Sequence, residues 1–461
     1  MRMTAVLYAV LASGAAWADT TAILAGRVHT GTGEVLERAT IWVEGGRIVR
    51  IDQARPGPGV RVIDHADATV IPGFVAATSQ LGGDDSANEE SSEITPDFRV
   101  SASIGTSPVY LERAIARGIT TAFVRPGLAN VIAGQGAVIR PGAPPESLVL
   151  ADGLELVIPI GPWPAMGNTS PSWGGIQTTR ARRPTTRMGT VWLVRKSFFD
   201  ARTYQLTKRT DGLSKEAPGS YTARELEVLV EVLEGKRIAR FVARADKDVR
   251  TALRIAAEFG IPRVRIEGLA EGYRGPDELA TVSEGLICEV VASDPINANQ
   301  PLSGLPLPVA VFDHWLCGTH DPLCGCCDLL LSSAGAPGSA ELALEGHVRP
   351  EYGPRADNVA VLARRTKKLA LTTVNHTNHV PEPLEAGSYA IRHGADEQEV
   401  LAMLTRIPAD MLGLAAEVGT IAPGRRADLV VMSGDPFEVT SRILAVYADG
   451  ALRHNSAETT R

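Results

Sequence analysis

Apolar and polar positions follow two different rhythms along this chain. Near the start, Ala22-Ile23-Leu24-Ala25-Gly26-Arg27-Val28 predicts one strand and Ala39-Thr40-Ile41-Trp42-Val43-Glu44 a second. Gly45-Gly46 predicts a hairpin turn into Arg47-Ile48-Val49-Arg50-Ile51. The same style returns at the far end, in Ala427 to Met432 and Ile443 to Tyr447, with an Asp449-Gly450 turn after them. Strands at both termini predict one small β domain built from both ends of the chain.

Between them, helical and strand periods alternate. Ser107-Pro108 opens a helix carrying Leu111, Ala114 and Ile115; Gly118 closes it, and Ile119 to Val124 reads as a buried strand. Thr222 and Glu225 form a capping box ahead of an apolar face of Leu226, Leu229, Val230 and Leu233. Ile238 to Ala243 predicts a strand, Val249 to Phe259 a helix stopped by Gly260, Arg263 to Glu267 a strand, Pro276 to Ser283 a short helix and Leu286 to Val291 a strand. Repeated β-then-α units of this length predict a parallel sheet closed into a (β/α)8 TIM barrel. Two Gly- and Pro-containing stretches, Met166 to Met188 and Ser332 to Asp357, read as long loops.

Composition narrows the class without changing the fold. Of 461 residues, 44% are hydrophobic and 21% charged, as in a globular protein. A net charge of −7 and only 5% aromatic residues argue against a nucleic-acid partner. The N-terminus has the three parts of a signal peptide: Arg2, the apolar run Ala5 to Leu11, and Ala16-Trp17-Ala18 as a cleavage site. Residues 1–18 are therefore expected to be removed, placing the mature protein in the periplasm or outside the cell, with no membrane association after cleavage.

Several strings resemble the imidazolonepropionase-like branch of the metal-dependent amidohydrolase superfamily. They are Val70-Ile71-Pro72-Gly73-Phe74-Val75, Ala129 to Gly136, Thr186-Arg187-Met188-Gly189, Val418 to Val431 and Gly434-Asp435-Pro436. The resemblance implies a (β/α)8 barrel over 71–415 and a composite β-sandwich from 19–70 and 416–461. It also implies C–N bond hydrolysis by a metal-activated water, the ligands sitting at the C-terminal ends of barrel strands.

At the positions where those ligands belong, this chain carries other residues. Asp-Ala-His-Ser-His is replaced by Ala76-Ala77-Thr78-Ser79-Gln80, so Thr78 and Gln80 stand for two histidines. Before Arg244-Ala245-Asp246, a His-x-His pair is replaced by Phe241 and Ala243, and Phe241 is expected to fill the cavity. Glu267-Gly268-Leu269 puts Gly268 at a further histidine position. The base at the last strand becomes Val374 or Asn375, and a bridging carboxylate matches Glu155 loosely. Thr, Gln, Phe, Ala and Gly cannot rebuild a zinc shell.

Other residues keep chemistry open. His376, followed by His379, lies at the end of the last strand; His376 and Glu155 are the catalytic candidates of an intact enzyme. Gln135, Arg187 and His376 are candidates for holding a polar ligand. Cys317, Cys324, Cys326 and Cys327 crowd one loop with His314 and His320, as disulfides in a secreted protein or as zinc ligands. Cys288, in an apolar strand, is expected to be a buried free thiol. The expectation is a secreted protein without a cofactor that binds a small ligand or an active homologue, as a homo- or hetero-oligomer. The alternative is an atypical hydrolase of C–N bonds in cyclic amides or dipeptide-like substrates, with zinc as its cofactor.

Overall fold

The computed structural model describes residues 20–82, 88–89, 92–105, 108–165, 182–211, 221–290, 355–373 and 380–457. The N-terminal 18 residues, Asn375, His376 and the cysteine loop lie outside the described residues. In chain order the structure runs β1 (Thr21–His29), β2 (Val35–Glu44), β3 (Arg47–Asp52), β4 (Arg61–Pro72), β5 (Phe74–Ser79), α1 (Pro108–Ala116), β6 (Ile119–Val124), β7 (Gly134–Ile139) and β8 (Val149–Pro159). It continues with α2 (Arg187–Asp211), α3 (Ala223–Leu233), β9 (Ile238–Ala243), α4 (Asp246–Phe259), β10 (Val264–Gly268), β11 (Leu286–Glu289), α5 (Asn358–Arg365) and β12 (Leu369–Thr372). The last elements are α6 (Pro383–Arg392), α7 (Glu397–Leu404), α8 (Arg406–Met411), β13 (Leu429–Met432), β14 (Ile443–Ala448) and β15 (Ala451–Asn455).

Both chain ends enter one seven-stranded sheet, ordered β15-β14-β13-β4-β1-β2-β3. Its two hairpins depend on left-handed backbone. Gly45 and Gly46 sit at φ +54° and +78°, and Asp449 and Gly450 at +50° and +71°, the double positive φ that matches the twist of the flanking strands. The joining ladder, β13 against β4, pairs Val430 with Ile71 and Val431 with Val70. The hydrogen bonding makes this a single continuous sheet, and draws no division into the two layers of a sandwich.

The second sheet has eight strands, β12-β11-β10-β9-β8-β7-β6-β5, and is nearly closed, because β12 also lies against β5. One strand departs from the expected all-parallel barrel. β7 is antiparallel to both β6 and β8, so β6-β7-β8 form a meander where crossover helices were expected. The short connections leave no room for a helix. The remaining neighbours are parallel.

Local signals held well in the helices. The capping box at α3 is complete: Glu225 N–H donates to Thr222 Oγ1 (3.2 Å) and Thr222 N–H to the Glu225 carboxylate (2.6 Å). Gly260 ends α4 at φ +61°. The 25-residue helix α2 was not legible, and its first two residues, Arg187 and Met188, were read as the end of a loop. Its apolar residues lie on two opposite faces, which erases the period of a one-sided helix.

Candidate functional site

In a parallel barrel, alternate residues of each strand point inward, and the C-terminal strand ends converge on one mouth. Such interiors are ordinarily packed with branched apolar side chains. Here Glu155 from β8, Arg240 from β9, and Arg265 and Glu267 from β10 are joined by Arg125, which follows β6. Arg240 Nε stands 2.7 Å from Glu155 Oε2, and its Nη1 stands 3.1 Å from Glu267 Oε2. Arg265 Nη1 donates to the other oxygen of Glu155. Arg125 Nε donates to Glu267 Oε1 (3.0 Å). Thr78 Oγ1 donates to that same oxygen, also at 3.0 Å.

None of these five charged side chains is more than 5% exposed. Three guanidiniums face two carboxylates, and backbone carbonyls take up part of the excess positive charge. Arg240 Nη2 donates to Ala77 O (2.8 Å), Arg265 Nη2 to Met411 O (2.6 Å), Arg265 Nε to Glu284 O (3.1 Å) and Arg125 Nη1 to Pro126 O (3.1 Å). The Arg240 guanidinium also lies 3.9 Å from the centre of the Phe123 ring, a cation–π contact strengthened by desolvation. The contacts of Arg240 Nε and Nη1 with the two carboxylates are close ion pairs but are not aligned as hydrogen bonds. Their attraction is therefore mainly Coulombic. Burial draws the Arg125 guanidinium below its ordinary range, with Glu267 opposing and Arg240 reinforcing the shift. Arg265 is lowered in the same way by burial, against Glu155.

The network extends at the mouth. Arg244 forms an ion pair with Glu289 at the end of β11, and its guanidinium lies 5.8 Å from the Trp163 ring centre. Burial, with Arg125 nearby, lowers Arg244 to about 10.

A family metal requires neutral imidazoles and free carboxylates converging on one point. The described residues do not fit it: Thr78 donates to Glu267, and both Glu155 and Glu267 are faced by guanidiniums. Among the described residues, no group of three His, Cys, Asp or Glu side chains is arranged to hold an ion.

The other sequence candidates fall in different places. Phe241 and Ala243 are not in the interior. They belong to the apolar cluster that includes Leu226 and Leu229 of α3 and Val249 and Ala252 of α4, so Phe241 does not fill the cavity. Strand alternation is the reason: Arg240 and Val242 face inward, so their neighbours must face the helices. Gly268 ends β10 at φ +104°, where an added Cβ would lie 2.9 Å from Ala243 O. Gln80 follows β5 and is half-buried.

Gln135 is buried, but its amide is fully engaged away from the mouth. Nε2 donates to Pro96 O (2.9 Å) and Oε1 accepts from Arg237 Nη1 (2.9 Å). It ties the loop before α1 to the start of β9. Cys288 is the buried free thiol expected, and burial pushes it up to about 12.

Arg125, Arg240 and Arg265 were missed. Their signal was present: Arg240 and Arg265 interrupt the apolar runs Ile238 to Val242 and Val264 to Ile266, and a charge inside a fully buried strand demands a buried partner.

Comparison with known proteins gives this geometry its context. Residues 360–453 match the Amidohydrolase family. The amidohydrolase tasK of Hapsidospora irregularis is 25% identical over 440 residues, covering 89% of this chain. The chain spans about two fifths of that relative, 39% of its length. The crystal structure of an amidohydrolase from Thermotoga maritima MSB8 is 25% identical, covers 94% of this chain and 100% of its own, and superposes with a TM-score of 0.71. A structure of molinate hydrolase, 17% identical over 94% of each chain with a TM-score of 0.51, shares the fold. Together these matches support the amidohydrolase superfamily.

Arg187 does reach the mouth side of the barrel, where it pairs with Asp248 in the first turn of α4 (Nη2 to Oδ2, 3.2 Å). Burial raises Asp248 to about 6, against the opposing pull of Arg187. An unfolded Asp titrates near 3.8. Between those values the folded protein binds the extra proton, so stability from this group is present at low pH and is lost as pH rises from about 4 to 6. The two-unit difference corresponds to about 3 kcal/mol. Asp248→Asn is accordingly expected to gain about that much relative to wild type between pH 4 and pH 7. Urea midpoints of the two proteins at both pH values measure it; an unchanged difference would refute the assignment.

Proposed function

We propose that this is a non-catalytic member of the amidohydrolase superfamily that acts by binding, in the periplasm or outside the cell, either a small polar ligand or an active homologue. One observation carries this reading: Thr78, Arg125, Arg240 and Glu267 form a closed ion-pair and hydrogen-bond network in the part of the barrel where the family resemblance puts its metal. In metal-dependent hydrolysis at neutral pH, an ion generates the attacking hydroxide by its charge. Glu155 is a poor substitute as a general base. Its two oxygens are taken up by the Arg240 and Arg265 guanidiniums, and a base must be free to take a proton from water within hydrogen-bond reach. A barrel interior cross-linked by ion pairs suits a scaffold presenting a surface or a mouth.

The test is a hydrolase screen over cyclic amides, dipeptides and esters, with and without zinc or manganese. The expected result is turnover no faster than buffer under every condition. Turnover that His376→Ala abolishes, in a variant melting at the wild-type temperature, would overturn the proposal in favour of an atypical hydrolase of C–N bonds.

A further inference from the structure

The charges inside the barrel do not balance. Arg125, Arg240 and Arg265 face Glu155 and Glu267, and among the described residues no further carboxylate pairs with any of the three guanidiniums. Arg244 and Glu289 add one charge of each sign, so an excess of one positive charge stands. A buried charge without a counter-charge is costly, and backbone carbonyls, being dipoles, offset only part of that cost.

The excess is concentrated at the mouth. Deeper in the barrel, Arg240 contacts both carboxylates, and Arg265 has Glu155 and two carbonyl oxygens. Arg125, directly after β6, shares one oxygen of Glu267 with Thr78 and has a single carbonyl, that of Pro126. Among the described residues only its Nε and Nη1 are engaged. Arg244 is near enough for the two guanidiniums to repel: burial lowers the Arg244 pKa first, and the charge of Arg125 lowers it further. Two like charges in a low-dielectric interior gain most from one anion close to both.

A neutral donor stands at the same end. Trp163 packs with Leu128 and Ala133, which follow β6, and with Val157 of β8 and Val242 of β9. The Arg244 guanidinium lies 5.8 Å from its ring centre. Trp163 is only 7% exposed, and its Nε1 is buried without a hydrogen-bond acceptor. An indole N–H can only donate, so this position calls for an acceptor. The nearby carboxylates are already taken, Glu267 by Thr78, Arg125 and Arg240, and Glu289 by Arg244.

We infer that the barrel mouth binds a small monovalent anion, held by Arg125 and Arg244 and by the Trp163 indole N–H. One excess charge calls for one negative charge; a dianion would reverse the imbalance. The inference rests on the non-catalytic reading above and gives its polar ligand a chemical class.

The test is a thermal-melt titration of the full chain with sodium bromide, with sodium gluconate holding the ionic strength constant so that screening does not change. The wild type is expected to gain melting temperature along a curve that fits a single site. Trp163→Phe keeps the ring and removes only the N–H. It is expected to melt no lower than wild type in gluconate, where a buried donor without an acceptor has been deleted, and to bind bromide on the order of 10-fold more weakly. Arg125→Met, with native circular dichroism, is expected to lose the saturable gain. Arg195→Gln, at an exposed pair with Glu258, is expected to titrate like wild type. Anomalous diffraction from bromide-soaked crystals is expected to place a peak between Arg125 and Arg244. No saturable gain, a gain retained in Arg125→Met, unchanged affinity in Trp163→Phe, or bromide found only elsewhere would each overturn the inference. Such a failure leaves the outcome of the hydrolase screen untouched, whereas turnover in that screen with bromide binding intact would overturn the non-catalytic reading alone.

Discussion

Replacing Arg240 by methionine is expected to destabilise the protein by about 3–5 kcal/mol. The magnitude follows from removing one member of a buried ion network while leaving the others charged. Arg240 has no exposed surface, and its loss removes the guanidinium that contacts both the Glu155 and Glu267 carboxylates in the buried interior. Methionine keeps much of the volume, so the cost is electrostatic and not that of a cavity. The check is equilibrium unfolding in urea for Arg240→Met, Glu155→Gln and the double variant. Each single change strands the other's partner. The double variant should therefore cost less than the two singles added together, by more than the few tenths of a kcal/mol expected of independent sites. Strict additivity would show that the two side chains are not coupled.

Arg140→Met is expected to cost nearly as much, also about 3–5 kcal/mol, and to act at a different place. Arg140 follows β7 of the barrel sheet, and Asp428 immediately precedes β13 of the seven-stranded sheet. The guanidinium donates to both oxygens of Asp428, at 2.9 and 3.0 Å, with Asp449 Oδ2 at 3.0 Å, and neither Arg140 nor Asp428 is more than 4% exposed. Burial alone would lower the Arg140 pKa, but the hydrogen bonds and charge of Asp428 outweigh it and hold the pKa above its ordinary value. The pair fastens the C-terminal strands to the barrel sheet across 288 residues of sequence. Arg140→Met should therefore lower the urea midpoint and accelerate limited proteolysis between α8 and β13. A variant with wild-type midpoint and wild-type proteolysis would remove Arg140 from this role.

Asp428 stood in a string with a clear resemblance, Val418 to Val431, but its partner Arg140 lay in none of them. The strand Ile238 to Ala243 was placed to the residue, yet Phe241 was assigned to the interior and Arg240 passed over. A period-two pattern says that neighbours face opposite ways without saying which face is inside, and in a strand buried on both sides hydrophobicity cannot decide. The resemblance chose the wrong parity because it carried over positions and not orientations. For α2 the failure ran the other way: an apolar stripe on the outer face hid the helical period.

By itself the sequence determined the elements whose causes are local. These are the double-glycine and Asp-Gly turns, the Thr222–Glu225 capping box, the glycine stop of α4, and the strands at both ends of one sheet. Only the tertiary structure decided which charged side chains meet inside the barrel. Thr78 meets Glu267 across 189 residues, Arg125 meets Glu267 across 142, and Arg265 meets Glu155 across 110. No local preference links residues so far apart. Strand order and tilt bring them together, and the low dielectric of the interior then makes each charge depend on the others.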